Sequence, residues 1–70
     1  MEIVSGLKVI HKQKRVVETI VGKCKVKING TWKDGVIYEG KDRYTGEPMT
    51  FVRELNEFNN EFETVEYYGL

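Results

Sequence analysis

The residues best suited to chemistry in this 70-residue chain are a single histidine and a single cysteine. A nucleophilic site needs a thiol or hydroxyl beside a base, and only His11 and Cys24 offer a thiol together with the usual base. Cys24 alternates with lysines on the predicted buried face of a strand, where a thiol stays protonated and unreactive. We therefore expect a structural Cys24 and predict no catalytic residue.

Metal and cofactor sites are not predicted either. A structural zinc site takes four Cys or His ligands, whereas the chain has two such residues. Asp42 lies in a polar segment that lacks the spaced Asp/Asn pattern of a calcium loop. The glutamates of the C-terminal half are expected to form a solvated face, and they are Glu54, Glu57, Glu61, Glu63 and Glu66. The chain is predicted not to be an enzyme and to bind no metal or cofactor.

Charge is balanced overall but segregated along the chain. The formal net charge is zero, which argues against non-specific binding of DNA by the whole surface. Residues 1–35 hold eight basic and three acidic residues, whereas residues 36–70 hold three basic and eight acidic ones. The two halves either pair internally, which is the favoured interpretation, or form separate basic and acidic faces.

Cysteine usage and the N-terminal sequence bear on the cellular compartment. One cysteine allows no internal disulfide, as is typical of a reducing compartment. The start of the chain lacks a charged segment followed by an apolar run, and no stretch approaches the ~18 apolar residues of a membrane span. We expect a cytoplasmic protein without a membrane segment.

Hydrophobic periodicity predicts strands. Between residues 23 and 28, lysines alternate with apolar residues, as in a half-buried strand. The β-branched residues before them extend this strand back to residue 16, with Gly22 marking a bulge. Asn29-Gly30 is a strong hairpin signal. Asp34-Gly35 is a second turn signal, too close to the first for a full strand between them, so we expect one turn and a short irregular loop that carries Trp32.

Four more strands are predicted, at residues 7–11, 36–39, 49–53 and 61–65, with a polar hairpin loop at 40–48 and a helical or 3₁₀ turn at 55–58. Five short strands with little helix favour an all-β single domain spanning 1–70, closed into a small barrel because closure removes exposed edges. The predicted core is Val9, Val17, Ile20, Cys24, Val26, Ile28, Val36, Tyr38, Phe51, Leu55, Phe58 and Phe62.

Residues 32–63 carry short motifs that can be compared with a known group of domains. The motifs are Val36-Ile37-Tyr38, Thr45-Gly46-Glu47, Phe51-Val52-Arg53, Glu57-Phe58 and Phe62-Glu63. In this order they resemble short bacterial and phage domains of unknown function with a small SH3-like barrel. Phe51 stands where these domains more often have Trp, and Glu54 where they usually have Pro. The resemblance implies a five-stranded SH3-like barrel and a bacterial or phage origin, and it implies no activity.

Exposed aromatics and clustered lysines point to two kinds of partner. Aromatic side chains are enriched at protein interfaces, and the candidates for protein contact are Trp32, Tyr44, Tyr67 and Tyr68. The favoured function is therefore a protein-interaction module, a phage or mobile-element modulator of a host protein. The alternative is nucleic-acid binding by the basic N-terminal half, through Lys23, Lys25, Lys27, Arg15 and Lys33. A homodimer through an unpaired sheet edge is left open.

Overall fold

Five antiparallel strands form one sheet in the order β4-β3-β2-β1-β5. A computed structural model of the protein describes residues 1–68, and their side chains up to residue 66. A short helix α1 (Leu55–Glu61) joins β4 to β5, and a 3₁₀ helix (Val65–Tyr68) follows β5. The prediction of a mostly β chain with five strands is confirmed. The strands are β1 (Lys8–His11), β2 (Val17–Ile28), β3 (Thr31–Lys41), β4 (Pro48–Glu54) and β5 (Phe62–Thr64).

The sheet does not close into a barrel in the described part of the chain. Strands β4 and β5 stand at the two ends of the strand order, and no ladder joins them. Helix α1 lies between these strands in sequence and occupies the seven residues that directly connect them. The predicted closure is therefore replaced by an open sheet with α1 packed against β3, β4 and β5.

The β2–β3 hairpin is longer than predicted. Asn29 and Gly30 have positive φ (51° and 80°) and form the turn, as expected. The second turn signal, Asp34-Gly35, does not interrupt the hairpin, because both residues continue β3 and pair with Lys25 and Cys24 of β2. The loop predicted around Trp32 is wrong for the same reason, since Trp32 pairs with Lys27. Continued pairing with β2 satisfies the backbone groups that a turn there would leave unpaired.

A bulge in β2 exchanges the faces of that strand. The register shifts between Ile20 and Gly22, so the bulge predicted at Gly22 is confirmed. Ile20 lies opposite Tyr38, and Lys23 lies opposite Val36. Residues 20 and 23 would face opposite sides of a regular strand, but the extra residue puts both opposite the buried face of β3. After the bulge, each side chain of β2 therefore lies on the face opposite to the one that uninterrupted alternation from Ile20 would give.

The core is small and aromatic. Val9, Ile20, Val36, Tyr38, Phe58 and Phe62 are buried as predicted, and Phe51 and Leu55 are partly buried against them. Val17 was expected in the core but is 48% exposed, because it is three residues from inward-facing Ile20 and so on the other face. Cys24, Val26 and Ile28 are only half-buried. The core also contains residues that were not predicted, Ile3, Ile10 and His11.

Helix α1 extends the turn predicted at residues 55–58 to seven residues. Its N-cap is Glu54, whose carboxylate accepts hydrogen bonds from the backbone N–H groups of Asn56 (2.8 Å) and Glu57 (3.2 Å). A capping carboxylate satisfies N–H groups that have no partner within the helix. Phe58 is the buried residue of the helix, so α1 covers the core with a single ring.

Gly35 is required by close packing rather than by a turn. A Cβ atom at this position would lie 2.5 Å from Val26 Cγ2 and 2.9 Å from Cys24 Sγ. We expect Gly35→Ala to lower the free energy of unfolding by about 1–3 kcal/mol, as overpacking does. Gly22→Ala is the matched control, since a Cβ there meets nothing within 4 Å. Urea unfolding of both variants checks this, and equal stabilities would contradict it.

Candidate functional site

A half-open groove of about 590 Å³ lies between the β1–β2 turn and the β3–β4 loop. Its floor is aromatic, made by the rings of Tyr38, Phe51 and Phe62. Polar groups on the floor come from β1, β2 and β4, namely His11, Glu18 and Arg53. The rim is contributed by the turn and the loop and includes Lys14, Lys41, Arg43 and Tyr44. A groove of this size with an apolar floor and few polar groups has the composition of a ligand site.

Stacked rings hold the floor in place. The Tyr38 ring lies 5.5 Å from Phe51 and 5.3 Å from both Phe58 and Phe62, measured between centroids. Phe58 and Phe62 stack at 4.4 Å with an interplanar angle of 11°. These rings come from β3, β4, α1 and β5, so four elements meet beneath the groove. Each such pair adds about 0.5–1.5 kcal/mol beyond burial of its area.

Arg53 joins this floor to α1. Its Nε donates a hydrogen bond to the Tyr38 hydroxyl (3.1 Å). Its Nη1 donates to Glu57 Oε1 (2.8 Å) and to Glu61 Oε2, and its guanidinium lies 5.8 Å from the centroid of the Phe62 ring. Burial opposes the charge of Arg53, but the Tyr38 hydroxyl and the two carboxylates raise its pKa above the ordinary value. The guanidinium is thus charged, and its Nε and Nη1 both donate hydrogen bonds.

His11 is buried and its ring is held by the backbone. Its Nδ1 accepts hydrogen bonds from the N–H groups of Gln13 (3.3 Å) and Lys14 (3.1 Å). Its Nε2 lies 3.8 Å from Glu61 Oε1. Burial lowers the pKa of His11, Glu61 opposes this shift, and Lys14 and Arg53 reinforce it. The imidazole is neutral at pH 7, and its accepting nitrogen is occupied, so it positions the β1–β2 turn rather than serving as a base.

Glu18 places a carboxylate in the groove wall. Its Oε2 is buried and has no hydrogen-bond partner among the described residues. Burial raises the pKa of Glu18, and the positive charges of Arg53 and Lys14 partly oppose the shift. Gly40 makes room for this side chain, since a Cβ at Gly40 would lie 3.0 Å from the Glu18 Cδ. Residues two apart on a strand face the same side, so Glu18 lies on the same face as buried Ile20. This spacing is the signal in the sequence that the Glu18 carboxylate faces the core.

The β3–β4 loop fixes the rim. Asp42 Oδ1 accepts hydrogen bonds from the backbone N–H groups of Tyr44 (2.7 Å) and Thr45 (3.0 Å). These bonds lower the pKa of Asp42, so its charge serves the turn. Gly46 takes the positive φ (75°) that closes the loop. Tyr44 is left 87% exposed, with the Arg43 guanidinium 5.8 Å from its ring centroid.

The structure does not bring the predicted protein-contact residues together. Tyr44 lies on the groove rim, after the end of β3, whereas Trp32 lies near the start of β3 and is 64% exposed. Nine residues of strand between positions 32 and 41 correspond to about 30 Å of chain. Tyr67 and Tyr68 end the 3₁₀ helix, and their side chains lie outside the described part of the structure. Of the four candidates, Tyr44 alone is shown at the groove.

The predicted nucleic-acid residues are only partly grouped. Lys23, Lys25 and Lys27 alternate along β2 and are exposed, as expected. Lys33 pairs with Val26 and therefore projects from the other face of the hairpin. Arg15 lies in the β1–β2 turn with φ 59°, away from the hairpin. Three of the five residues thus form one row.

Four of the five glutamates expected to form a solvated face have specific partners, and the Glu57 side chain is also 57% exposed. Glu57 and Glu61 bind Arg53, and Glu63 Oε1 lies 3.6 Å from Lys12 Nζ. The last pair joins the basic half of the sequence to the acidic half. Glu54 caps α1, as described above. A residue such as Arg53 was missed by sequence reasoning, although its spacing of four from Glu57 signals an ion pair.

Among residues 1–68, the two sequence candidates for nucleophilic chemistry, His11 and Cys24, lie in different cavities. His11 lines the groove, whereas Cys24 lines a second cavity of about 370 Å³ beside Leu55 and Asn59. No three His, Cys, Asp or Glu side chains in this described range converge as metal ligands. In the same range no helix has the length and apolar character needed to cross a membrane.

Comparison with known proteins does not add an identity. No family model, no curated protein sequence and no solved structure matches the chain.

The neutral, backbone-held imidazole of His11 makes stability depend on pH. A folded-state pKa below the ordinary value of 6.5 means that the contribution of His11 is present above about pH 6.5 and is lost as pH falls through the folded value. We expect the chain to lose stability relative to His11→Asn, which does not titrate, between pH 7 and 5. Urea unfolding at several pH values measures the difference. A constant difference would contradict the assignment.

Ionisation of Glu18 changes stability with pH in the opposite direction to that expected for His11. The folded-state pKa of Glu18 lies above the ordinary value of 4.5. The fold therefore loses stability as pH rises from about 4.5 through the folded-state pKa, because the buried carboxylate becomes ionised. We expect Glu18→Gln to be more stable than the parent chain at pH 7 and equally stable below about pH 4.5. Glu39→Gln on the neighbouring strand, where the side chain is exposed, is the control and should leave the pH profile unchanged. A Glu18→Gln variant less stable at pH 7 would overturn the assignment.

Proposed function

We propose that this protein is a non-enzymatic protein-interaction module whose groove binds an extended acidic segment of a partner protein. The observation that carries the proposal is the composition of the groove. An aromatic floor lies beneath a rim that bears three exposed cations, Lys14, Lys41 and Arg43. Aromatic-lined grooves on small β domains hold extended peptides, and the cations supply complementarity to Asp and Glu side chains.

The three rim cations are available to a ligand, whereas the guanidinium of Arg53 on the groove floor is not. Arg53 is already matched by Glu57 and Glu61. No carboxylate lies within 4 Å of the ammonium or guanidinium nitrogens of the rim cations within residues 1–68. Asp42, which lies between Lys41 and Arg43, directs an oxygen to its own loop. Acidic groups of a partner are therefore the natural counterions for the rim.

Tyr44 is the proposed anchor of the interaction. It is 87% exposed, yet the Asp42 turn fixes its backbone. Preorganised aromatic residues lose little conformational entropy on binding and are frequent hot spots. The engaged Nδ1 of His11 supports a binding role for the groove rather than catalysis.

The proposal extends to the fold class, origin and cellular location of the protein. We propose an SH3-like domain of bacterial or phage origin that modulates a host protein in the cytoplasm. The order of five strands with a helical turn between the fourth and the fifth supports the SH3-like part, as do the motifs of residues 32–63. The single cysteine, which is free, supports a reducing compartment.

Selection from a random nonapeptide library tests the groove. The immobilised chain is expected to enrich peptides that combine Asp or Glu with an apolar residue. The variant Lys14→Gln/Lys41→Gln/Arg43→Gln should lose this enrichment, because the rim then carries no cation. Tyr44→Ala should weaken an enriched peptide by roughly ten-fold, the loss of a moderate hot spot, measured by fluorescence anisotropy.

The matched control removes the same number of charges elsewhere. Lys23→Gln/Lys25→Gln/Lys27→Gln alters net charge equally and leaves the groove intact, so it should retain the enriched peptides. If both triple variants lost binding equally, net charge rather than the groove would be responsible, and the proposed site would be wrong. Absence of any enrichment by the parent chain would also reject it.

A further inference from the structure

The tip of the β2–β3 hairpin extends beyond the rest of the sheet. Strand β1 pairs with β2 only at residues 17–19, and β4 pairs with β3 only from Gly35 onward. Residues 22–34, here called the ribbon, therefore have no neighbouring strand on either outer edge within the described residues. Its β2 arm of seven residues is about 23 Å long. Along this arm Cys24, Val26 and Ile28 are half-buried, whereas Lys23, Lys25 and Lys27 are exposed.

One face of the ribbon carries a row of cations beside an exposed indole. Lys25 lies opposite Asp34, and Lys27 lies opposite Trp32, so these four side chains share a face. The Lys27 ammonium lies 5.8 Å from the centroid of the Trp32 ring, and Trp32 is 64% exposed. Lys23 continues the row. Large exposed aromatics beside cations are typical of surfaces on which nucleic-acid bases stack.

We infer that the ribbon binds single-stranded nucleic acid, with Lys23, Lys25 and Lys27 contacting phosphates and Trp32 stacking on a base. This site is separate from the groove and does not depend on the proposed function. Alternate residues of a strand lie about 6.7 Å apart, so the three lysines form a regularly spaced row along β2. Such a row can contact several phosphates of one strand that runs along β2.

The single-stranded form is favoured over a duplex by two observations. The chain has no net charge, so the long-range field that drives non-specific duplex binding is weak. The exposed indole of Trp32 has a stacking surface that only an unstacked base satisfies. A duplex would present its phosphates to the lysines but would leave the indole without a partner.

Asp34 competes with the phosphates and provides a distinctive test. Its Oδ1 accepts a hydrogen bond from Lys25 Nζ at 2.5 Å, and both groups are well exposed, at 68% for Lys25 and 64% for Asp34. Removing this carboxylate frees Lys25 and removes a repulsive charge from the phosphate path. A purely structural ribbon gains nothing from this change, whereas a phosphate-binding ribbon binds more tightly.

The probe is a fluorescein-labelled twelve-nucleotide oligo-dT, followed by anisotropy at 50 and 200 mM salt. Three phosphate contacts predict a slope of about −2 in log affinity against log salt, hence roughly fifteen-fold weaker binding at the higher salt. Trp32→Ala should weaken binding by roughly five-fold or more. Asp34→Asn should strengthen it by roughly two- to five-fold, the range of an exposed ion pair. Quenching of Trp32 fluorescence on binding is expected as well.

The two triple variants again separate the alternatives. Lys23→Gln/Lys25→Gln/Lys27→Gln should abolish oligo-dT binding, and Lys14→Gln/Lys41→Gln/Arg43→Gln should preserve it. Circular dichroism confirms that each variant is folded before the comparison. Absence of binding at 50 mM salt, equal losses in the two triple variants, or an unchanged affinity in Asp34→Asn would each overturn the inference. Tighter binding of a duplex of the same length than of oligo-dT would overturn the single-stranded assignment.

Discussion

The hydrogen bond between Arg53 and Tyr38 is the interaction on which the rest of this small fold depends. Tyr38 is buried in the middle of β3, where its ring contacts Phe51, Phe58 and Phe62 from three other elements. A buried phenol needs a partner for its hydroxyl, and Arg53 supplies one at 3.1 Å. With so few large residues available to a 70-residue chain, this contact adds to the β3–β4 ladder in holding the aromatic rings in place.

The Arg53 guanidinium extends the same constraint to the first strand. It binds Glu61 at the end of α1, and Glu61 Oε1 lies 3.8 Å from His11 Nε2. The backbone carbonyl of Glu61 also accepts a hydrogen bond from the N–H of Lys12 (2.9 Å). The β1–β2 turn is thereby tied to the C-terminal end of the helix. Glu57 and Glu61 are thus engaged by Arg53, whereas the rim cations Lys14, Lys41 and Arg43 have no carboxylate within 4 Å among the described residues.

The sequence predicts which segments are strands more reliably than it predicts which face each residue occupies. Alternation of polar and apolar residues locates β2, and Gly22 marks its bulge. One extra residue reverses the alternation, however, so Lys23 lies opposite core residue Val36, and Cys24 leaves the core. Gly35 is a second position where a local sequence pattern gives the wrong structure. Asp-Gly is typical of a turn, but here Gly35 accommodates the side chain of Val26 from the paired strand, a contact that pairing alone determines.

The candidate site was less predictable than the fold because its parts are distant in sequence. Tyr44 could be identified from its polar surroundings, since a loop aromatic has no core to enter. Glu18 and Arg53 could not, because their role follows from the meeting of β2 with β4 across Tyr38. The same reasoning explains the segregated charge of the sequence. In the acidic half, Glu57 and Glu61 bind Arg53 and Glu54 caps α1. Four of the eight basic residues of the other half lie in the ribbon, where Lys25 pairs with Asp34. The zero net charge of the whole chain thus conceals a local excess of positive charge on the ribbon, which carries four lysines and one aspartate.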